Sequence, residues 1–387
     1  MFENDTNEQS EIRESVRKFA QLDIPKYQLE SFYNSVPLDL VKKAAGLGLT
    51  GLSVAEEFQG INAGVTTTAI VMEELAAVDL GPAIFLSVHS MVSSLISRFG
   101  SAEQKRSLLP KMARGESLGA YALTEPGAGS DASNLKASYQ EGSDCFVLSG
   151  EKCYITSAGW AEVYLVFARK HGQPGADAIS AFILAKDGGK WPAGLKIGPP
   201  EKKMGCELSP IASLTFENMK LPKSSLLGTL GEGYAIALAG LAGGRVNIAA
   251  CANGLSRSAI DLAVKHLAER EQFGSKLIEF QGLRFMLADM RMKYEASCLL
   301  AKQAALLLER DPDAVQNRIY PSMAKCFATD ATMSITTDAV QLLGGAGYIK
   351  DYKVERLMRE AKMLQIVEGT NQIQRLLISR EMVRVSS

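Results

Sequence analysis

A chain of 387 residues is longer than one hydrophobic core usually supports, so about two or three domains are expected. Hydrophobic residues make up 47% and charged residues 22%, and a formal net charge of −1 without a basic, aromatic-laced run excludes a nucleic-acid binder that works by phosphate neutralisation. The six cysteines form no C-x-x-C pair and the three histidines lie far apart, so metal-site spacing is absent and reduced, buried thiols are expected. The polar start, residues 1–8, has neither a signal-peptide core nor an Arg-rich transit pattern, and no charge-free apolar run reaches the ~20 residues of a membrane helix, so a soluble cytoplasmic protein is expected.

Residues 1–119 read as helices. Ile12, Val16 and Phe19 recur at helical spacing over 11–20, Pro37 opens a helix over 38–47, and 66–78 carries Ile70, Val71 and Leu75. Glu73 and Glu74 are adjacent, so they do not share a helix face, and they read as a solvated edge. Gly81-Pro82 breaks that helix. An apolar segment over 83–96 follows, in which His89 reads as a packed residue; Ser101 then caps another helix that Gly115 closes. Residues 120–228 change period: 145–148, 153–156, 163–168, 180–184 and 212–216 are short, β-branched or aromatic, and separated by turn residues, which predicts an antiparallel β domain. Over 229–387 long helical patterns return at 234–268, 281–309, 322–343 and from 371, a four-helix bundle with short connections.

Two charges stand out. Glu368 follows Ile366 and Val367, precedes Gly369, and is followed by Thr370 and Asn371 as caps of a terminal helix. Apolar neighbours make its ionised form costly and would raise its pKa, which suits a general base; the alternative is a surface Glu favoured by a helix dipole. Arg245 is the lone charge on the face Leu238, Leu241, Arg245, Ile248, Ala252, Leu255, so it either meets an anion inside, near Glu368, or snorkels to the surface. The loop Glu125-Pro-Gly-Ala-Gly-Ser130 lacks the full G-x-G-x-x-G, which argues against a dinucleotide fold of the parallel-sheet type. Its glycines let the main chain approach a ring edge or phosphate, and a plain turn is the other reading.

The segments Ile366-Val-Glu-Gly-Thr-Asn-Gln-Ile-Gln-Arg375 and Tyr121-Ala-Leu-Thr-Glu-Pro-Gly-Ala-Gly-Ser-Asp131 resemble the acyl-CoA dehydrogenase family, flavoenzymes that introduce an α,β double bond into an acyl thioester. The resemblance covers essentially the whole chain. It implies an α+β multidomain fold: an N-terminal helical domain, a middle antiparallel β domain and a C-terminal four-helix bundle. FAD is the implied cofactor, a homotetramer (dimer of dimers) the implied assembly, and an electron-transfer flavoprotein the implied electron acceptor. Glu368 would remove the α-proton while the β-hydride passes to flavin N5, and Arg245 would help position it or the thioester. Leu123, Thr124, Ser130, Tyr154 (Trp in many members) and Thr156 would meet flavin, with Ser130 also near substrate. Arg270, Phe273, Gln281, Gln341 and Gly345 would reach the cofactor across a subunit boundary, with Thr370 and Gln372 as further cofactor contacts, and Tyr234 and Gly369 would join the substrate site.

Residues 203–205, 214–218 and 244–249 look closest to short- and branched-chain members. Val367, Ala242 and Gly244 depart from medium-chain members, which leaves an acyl-carrier-protein thioester as an alternative substrate. An oxidase-like enzyme using O₂ and a non-catalytic flavin or acyl-CoA binding scaffold are the remaining alternatives.

Overall fold

The computed structural model describes residues 5–186, 188–314 and 319–386; Met1 to Asn4, part of the polar start noted above, lie outside the described residues. The N-terminal part contains α1 (Asn7–Asp23), α2 (Leu38–Gly46), α3 (Gly64–Ala76), α4 (Leu80–Phe99) and α5 (Ala102–Ala113). Ser101 caps α5 as expected, its hydroxyl accepting from the Gln104 N–H while Gln104 returns a bond to the Ser101 N–H. Gly81-Pro82 sits inside the first turn of α4 rather than before it, because Asp79 caps that helix by accepting from the Gly81 N–H.

Eight strands follow: β1 (Gly119–Ala122), β2 (Ser138–Glu141), β3 (Cys145–Thr156), β4 (Val163–Lys170), β5 (Ile179–Ala185), β6 (Leu195–Ile197), β7 (Ile211–Pro222) and β8 (Leu226–Leu227). They form one sheet in the order β6-β7-β3-β2-β4-β5-β8, with β1 paired to β4. The sheet is mixed and not purely antiparallel, since β4 pairs in parallel with both β1 and β2. Strand direction depends on where the chain re-enters the sheet, which short apolar runs do not encode. The two runs at 145–148 and 153–156 belong to one strand, β3, whose register against β7 slips between Lys152 and Ile155.

The C-terminal part holds α6 (Gly233–Glu269), a β9–β10 hairpin (Glu271–Gln272, Ser275–Lys276), α7 (Gln281–Arg310), α8 (Ile319–Leu343), α9 (Val354–Leu364) and α10 (Asn371–Ser386). The four expected helices are present, and α9 is an additional one between the bundle and Glu368. Helices α4 and α6 are each long and apolar enough to cross a membrane, contrary to the expectation from sequence; 83% and 61% of their most apolar windows are buried within the fold, as suits core helices. Glycines let α6 approach its neighbours. A Cβ at Gly240 would come within 2.8 Å of the Leu95 side chain, and one at Gly254 within 2.3 Å of the Glu73 carbonyl. This close fit offsets the poor helix propensity of glycine.

Glu73 and Glu74 are buried, not solvated. Helix α3 is enclosed on nearly every side, so adjacent residues both face protein. Glu74 accepts hydrogen bonds from Arg13 (2.7 Å), Arg17 (2.9 Å) and Arg257 (2.7 Å). Glu73 accepts from Arg13 and Arg257, at 3.3 and 3.1 Å, and from the Tyr294 hydroxyl at 3.4 Å. Burial alone would raise the Glu74 pKa, but the three guanidinium groups outweigh it and hold it at about 2.

Candidate active site

The turn between α9 and α10 carries Glu368. Its φ of 56° is a left-handed conformation that a non-glycine residue adopts only when its surroundings hold it, and Gly369 continues at φ 88°. Three side chains hold this turn through four hydrogen bonds. Arg245 Nε donates to the Glu368 carbonyl (3.3 Å), Gln374 Nε2 to the carbonyls of Glu368 (3.1 Å) and Gly369 (2.8 Å), and Lys325 Nζ to the Gly369 carbonyl (3.0 Å). The Asn371 N–H closes the loop onto the Gln365 carbonyl at 3.0 Å, and Thr370 Oγ1 caps α10 by accepting from the Ile373 N–H.

So braced, the side chain turns inward. Glu368 Oε2 is sealed from solvent and has no hydrogen-bond partner among the described residues. It lies against α6 and α4: a Cβ on Gly244 would stand 2.6 Å from Glu368 Oε2 and 2.5 Å from Met91 Cε, so glycine is the residue that leaves room for this carboxylate. Burial pushes the Glu368 pKa up to about 7, with the charges of Arg245 and then Lys325 opposing the rise.

Arg245 is buried, the inward of the two alternatives its lone charge left open, and burial lowers its pKa. Its hydrogen bonds go to the Glu368 carbonyl and to Ser322 Oγ (3.4 Å), so it orders the turn and acts on the carboxylate through the field. Tyr121 completes the surroundings from β1. Its hydroxyl donates to the Ala237 carbonyl on α6 (3.1 Å), and burial and then the Glu368 charge raise its pKa. Tyr234 lies close enough to Tyr121 and Arg245 to act on both electrostatically.

A second group of expected residues meets at the end of β1. The Cys153 N–H donates to the Thr124 carbonyl at 3.0 Å, which places Thr124 beside the slipped part of β3. There Tyr154 takes φ 58° and presents its ring outward, 64% exposed, with Thr156 half-buried beyond it. Beneath lies an ion pair that the sequence did not disclose. Lys152 Nζ, fully buried, donates to Glu125 (2.7 Å) and the Leu123 carbonyl (3.0 Å), while Glu125 also accepts from the N–H groups of Lys136 and Ala137. An outward aromatic ring beside two threonines on a rigidly held main chain fits a planar, polar-edged flavin ring. Ser130 is exposed on the following loop.

Thr370 and Gln372 do not point with Glu368; they line a cleft of about 450 Å³ together with Asp330, Gln365 and Arg375. Arg270, Phe273, Gln281, Gln341 and Gly345 are exposed, and none is among the charged groups acting on Glu368. His89 is packed as expected. Its ring meets the Thr50 carbonyl and accepts from the Gly119 N–H, and burial lowers its pKa to about 4. Sequence reasoning missed Lys325, Gln374, Tyr121 and Met91 around the carboxylate; of these only Lys325, a lone charge among Ala324, Cys326 and Ala328, left a readable signal.

A helical domain, a β domain and a helical bundle make up the described fold, with the sealed Glu368 carboxylate at the α9–α10 turn and the outward Tyr154 ring on β3. Three family models match the chain: the acyl-CoA dehydrogenase N-terminal domain over residues 6–116, the middle domain over 120–219 and the C-terminal domain over 231–383. The chain belongs to the acyl-CoA dehydrogenase family, flavin-dependent oxidoreductases whose cofactor is FAD. It is 38% identical to mitochondrial isobutyryl-CoA dehydrogenase of Dictyostelium discoideum over 96% of this chain and 86% of that protein. Among solved structures, it resembles butyryl-CoA dehydrogenase of Megasphaera elsdenii with a TM-score of 0.93 at 34% identity, covering 99% and 100% of the two chains. A chain from work on the electron transferring flavoprotein of Acidaminococcus fermentans also superposes with a TM-score of 0.93, at 40% identity over 99% and 100% of the chains.

Proposed function

We propose that this protein dehydrogenates a short or branched acyl-CoA to the trans-2-enoyl-CoA, with Glu368 as the base that takes the α-proton. The observation that carries this reading is the sealed, unpartnered Glu368 Oε2, whose pKa of about 7 leaves a carboxylate both available and basic enough near neutral pH. Arg245, Gln374 and Lys325 hold the turn, so the carboxylate needs little reorganisation when the proton moves. Tyr121, Met91 and the α6 face around Gly244 keep water from it. Thr124, Tyr154 and Thr156, with Leu123 and Ser130, would hold FAD, which when bound supplies the hydride-accepting chemistry. Tyr234, Arg245, Gly369 and Ser130 would order the thioester.

The isobutyryl- and butyryl-CoA relatives support the substrate class. An electron-transfer flavoprotein is the acceptor we propose, in keeping with the Acidaminococcus comparison. A homotetramer is supported by the exposed, seven-residue recurrence of Phe285, Met292, Leu299 and Leu306 along α7, an apolar stripe suited to self-association. Arg270, Phe273, Gln281, Gln341 and Gly345, exposed in one protomer, would then complete a neighbour's FAD site, with Thr370 and Gln372 lining its remaining cleft. The cytoplasm is the proposed location.

An anaerobic titration with acyl-CoAs from isobutyryl and 2-methylbutyryl to octanoyl, followed by flavin absorbance, tests the substrate class. Bleaching by a short or branched thioester is expected. Bleaching by octanoyl-CoA alone would overturn the short-chain reading, and bleaching only by an acyl-carrier-protein thioester would move the substrate to a carrier protein.

A further inference from the structure

We infer that Lys325 is a positioning residue for Glu368: it clamps the turn that carries the base and contributes, with Arg245, the positive field that keeps the buried carboxylate ionisable. The inference rests on the reading of Glu368 as the base.

Lys325 lies on α8, fully buried between Ala324 and Cys326, and is the one cation of that helix, Ile319–Leu343. Its Nζ donates to the Gly369 carbonyl (3.0 Å) and to Asn371 Oδ1 (2.8 Å), so both acceptors belong to the segment immediately after Glu368. Arg245, from α6, holds the preceding carbonyl. The two cations therefore grip consecutive peptide units of a left-handed turn from opposite helices, which fixes where the carboxylate points.

The ammonium has no ion pair with a carboxylate among the described residues. A buried charge without a counter-ion is costly, so this arrangement persists because an anion nearby shares the cost. Cys326 beside it on α8, Glu368 from the turn and Asp330 from α8 favour the charged form of Lys325, while Arg245 from α6 opposes it. Asp330 is committed to Arg375, Asn371 and Gln365. The groups acting on Glu368 from the elements around it are Arg245 from α6, Lys325 from α8 and Tyr121 from β1. Only the first two are cationic, and Arg245 does not reach a carboxylate oxygen within hydrogen-bond distance. Burial lowers the Lys325 pKa to about 8, which leaves it charged where Glu368 titrates.

The test is the pH dependence of kcat/KM in Lys325→Met, which keeps the stem and removes charge and donors. The acid limb is expected to move up by about one pH unit, a loss of roughly fivefold at pH 7 that is recovered by pH 9, and Lys325→Arg should restore the midpoint. A second readout needs no turnover. Because the folded pKa of Glu368 lies above its ordinary 4.5, the wild type loses stability as pH rises from 4.5 to about 7, whereas Glu368→Gln does not. The Tm gap between the two therefore opens over that window. On the Lys325→Met background the opening should extend to higher pH. If Lys325→Met does not fold, Lys325→Gln, which loses the charge and keeps an amide, is read in the same way. A uniform fall in rate with an unmoved midpoint and an unmoved Tm window would overturn the inference while leaving Glu368 as the base. An active Glu368→Gln would instead overturn the reading of Glu368 itself.

Discussion

Glu368→Gln is expected to keep the flavin bound and the fold intact while slowing substrate reduction of the flavin by roughly 10²–10⁴-fold, the range a positioned general base supplies. The amide is close to isosteric, so the contacts with Gly244 and Met91 survive, and the main-chain carbonyls that Arg245, Gln374 and Lys325 hold are untouched. What is lost is the proton acceptor alone. Rapid mixing of oxidised protein with acyl-CoA, monitored at the flavin band, measures this. An Arg245→Lys variant offers a useful contrast, since it keeps a charge but gives up the geometry of the guanidinium.

The second large effect concerns stability. Glu74→Gln leaves Arg13, Arg17 and Arg257 around a neutral amide in a buried site, and about 3–5 kcal/mol of destabilisation is expected, the usual consequence of removing one partner from a buried ion network. The wild type carries a matching pH signature. The Glu74 pKa lies near 2 in the fold against an ordinary 4.5, so the stability it contributes is complete above pH 4.5 and is lost as pH falls towards 2. Thermal unfolding between pH 3 and pH 7 should show a steep acid decline in the wild type and a shallow one in Glu74→Gln. Equal slopes would mean that the arginines find other partners.

This network also marks a limit of sequence reading. The rule that adjacent helical residues face apart is sound, but it misleads for α3, which is enclosed all round; the partners of Glu74 lie 57 to 183 residues away, beyond any local pattern. Arg245 was legible because a single guanidinium interrupted an apolar stripe, and a buried cation demands an explanation. The same logic applied to Lys325 would have found it. Periodicity recovered the helix–β–helix succession but not the parallel pairing of β4, which depends on chain crossings, nor α9, whose charged face hides a buried Glu360. The enclosure of Glu368 by Met91 and Gly244 could be described only once α4 and α6 were packed together.

The most direct test of Glu368 as the base is the rate of anaerobic flavin reduction by a short acyl-CoA at sub-saturating concentration, where it reports the free enzyme, between pH 5.5 and pH 9. The account predicts a rate that rises with pH, is half-maximal near pH 7 in the free enzyme and levels off above pH 8, because the carboxylate acts only after losing its proton. A rate that is flat across this range, or that falls as pH rises through 7, would contradict it.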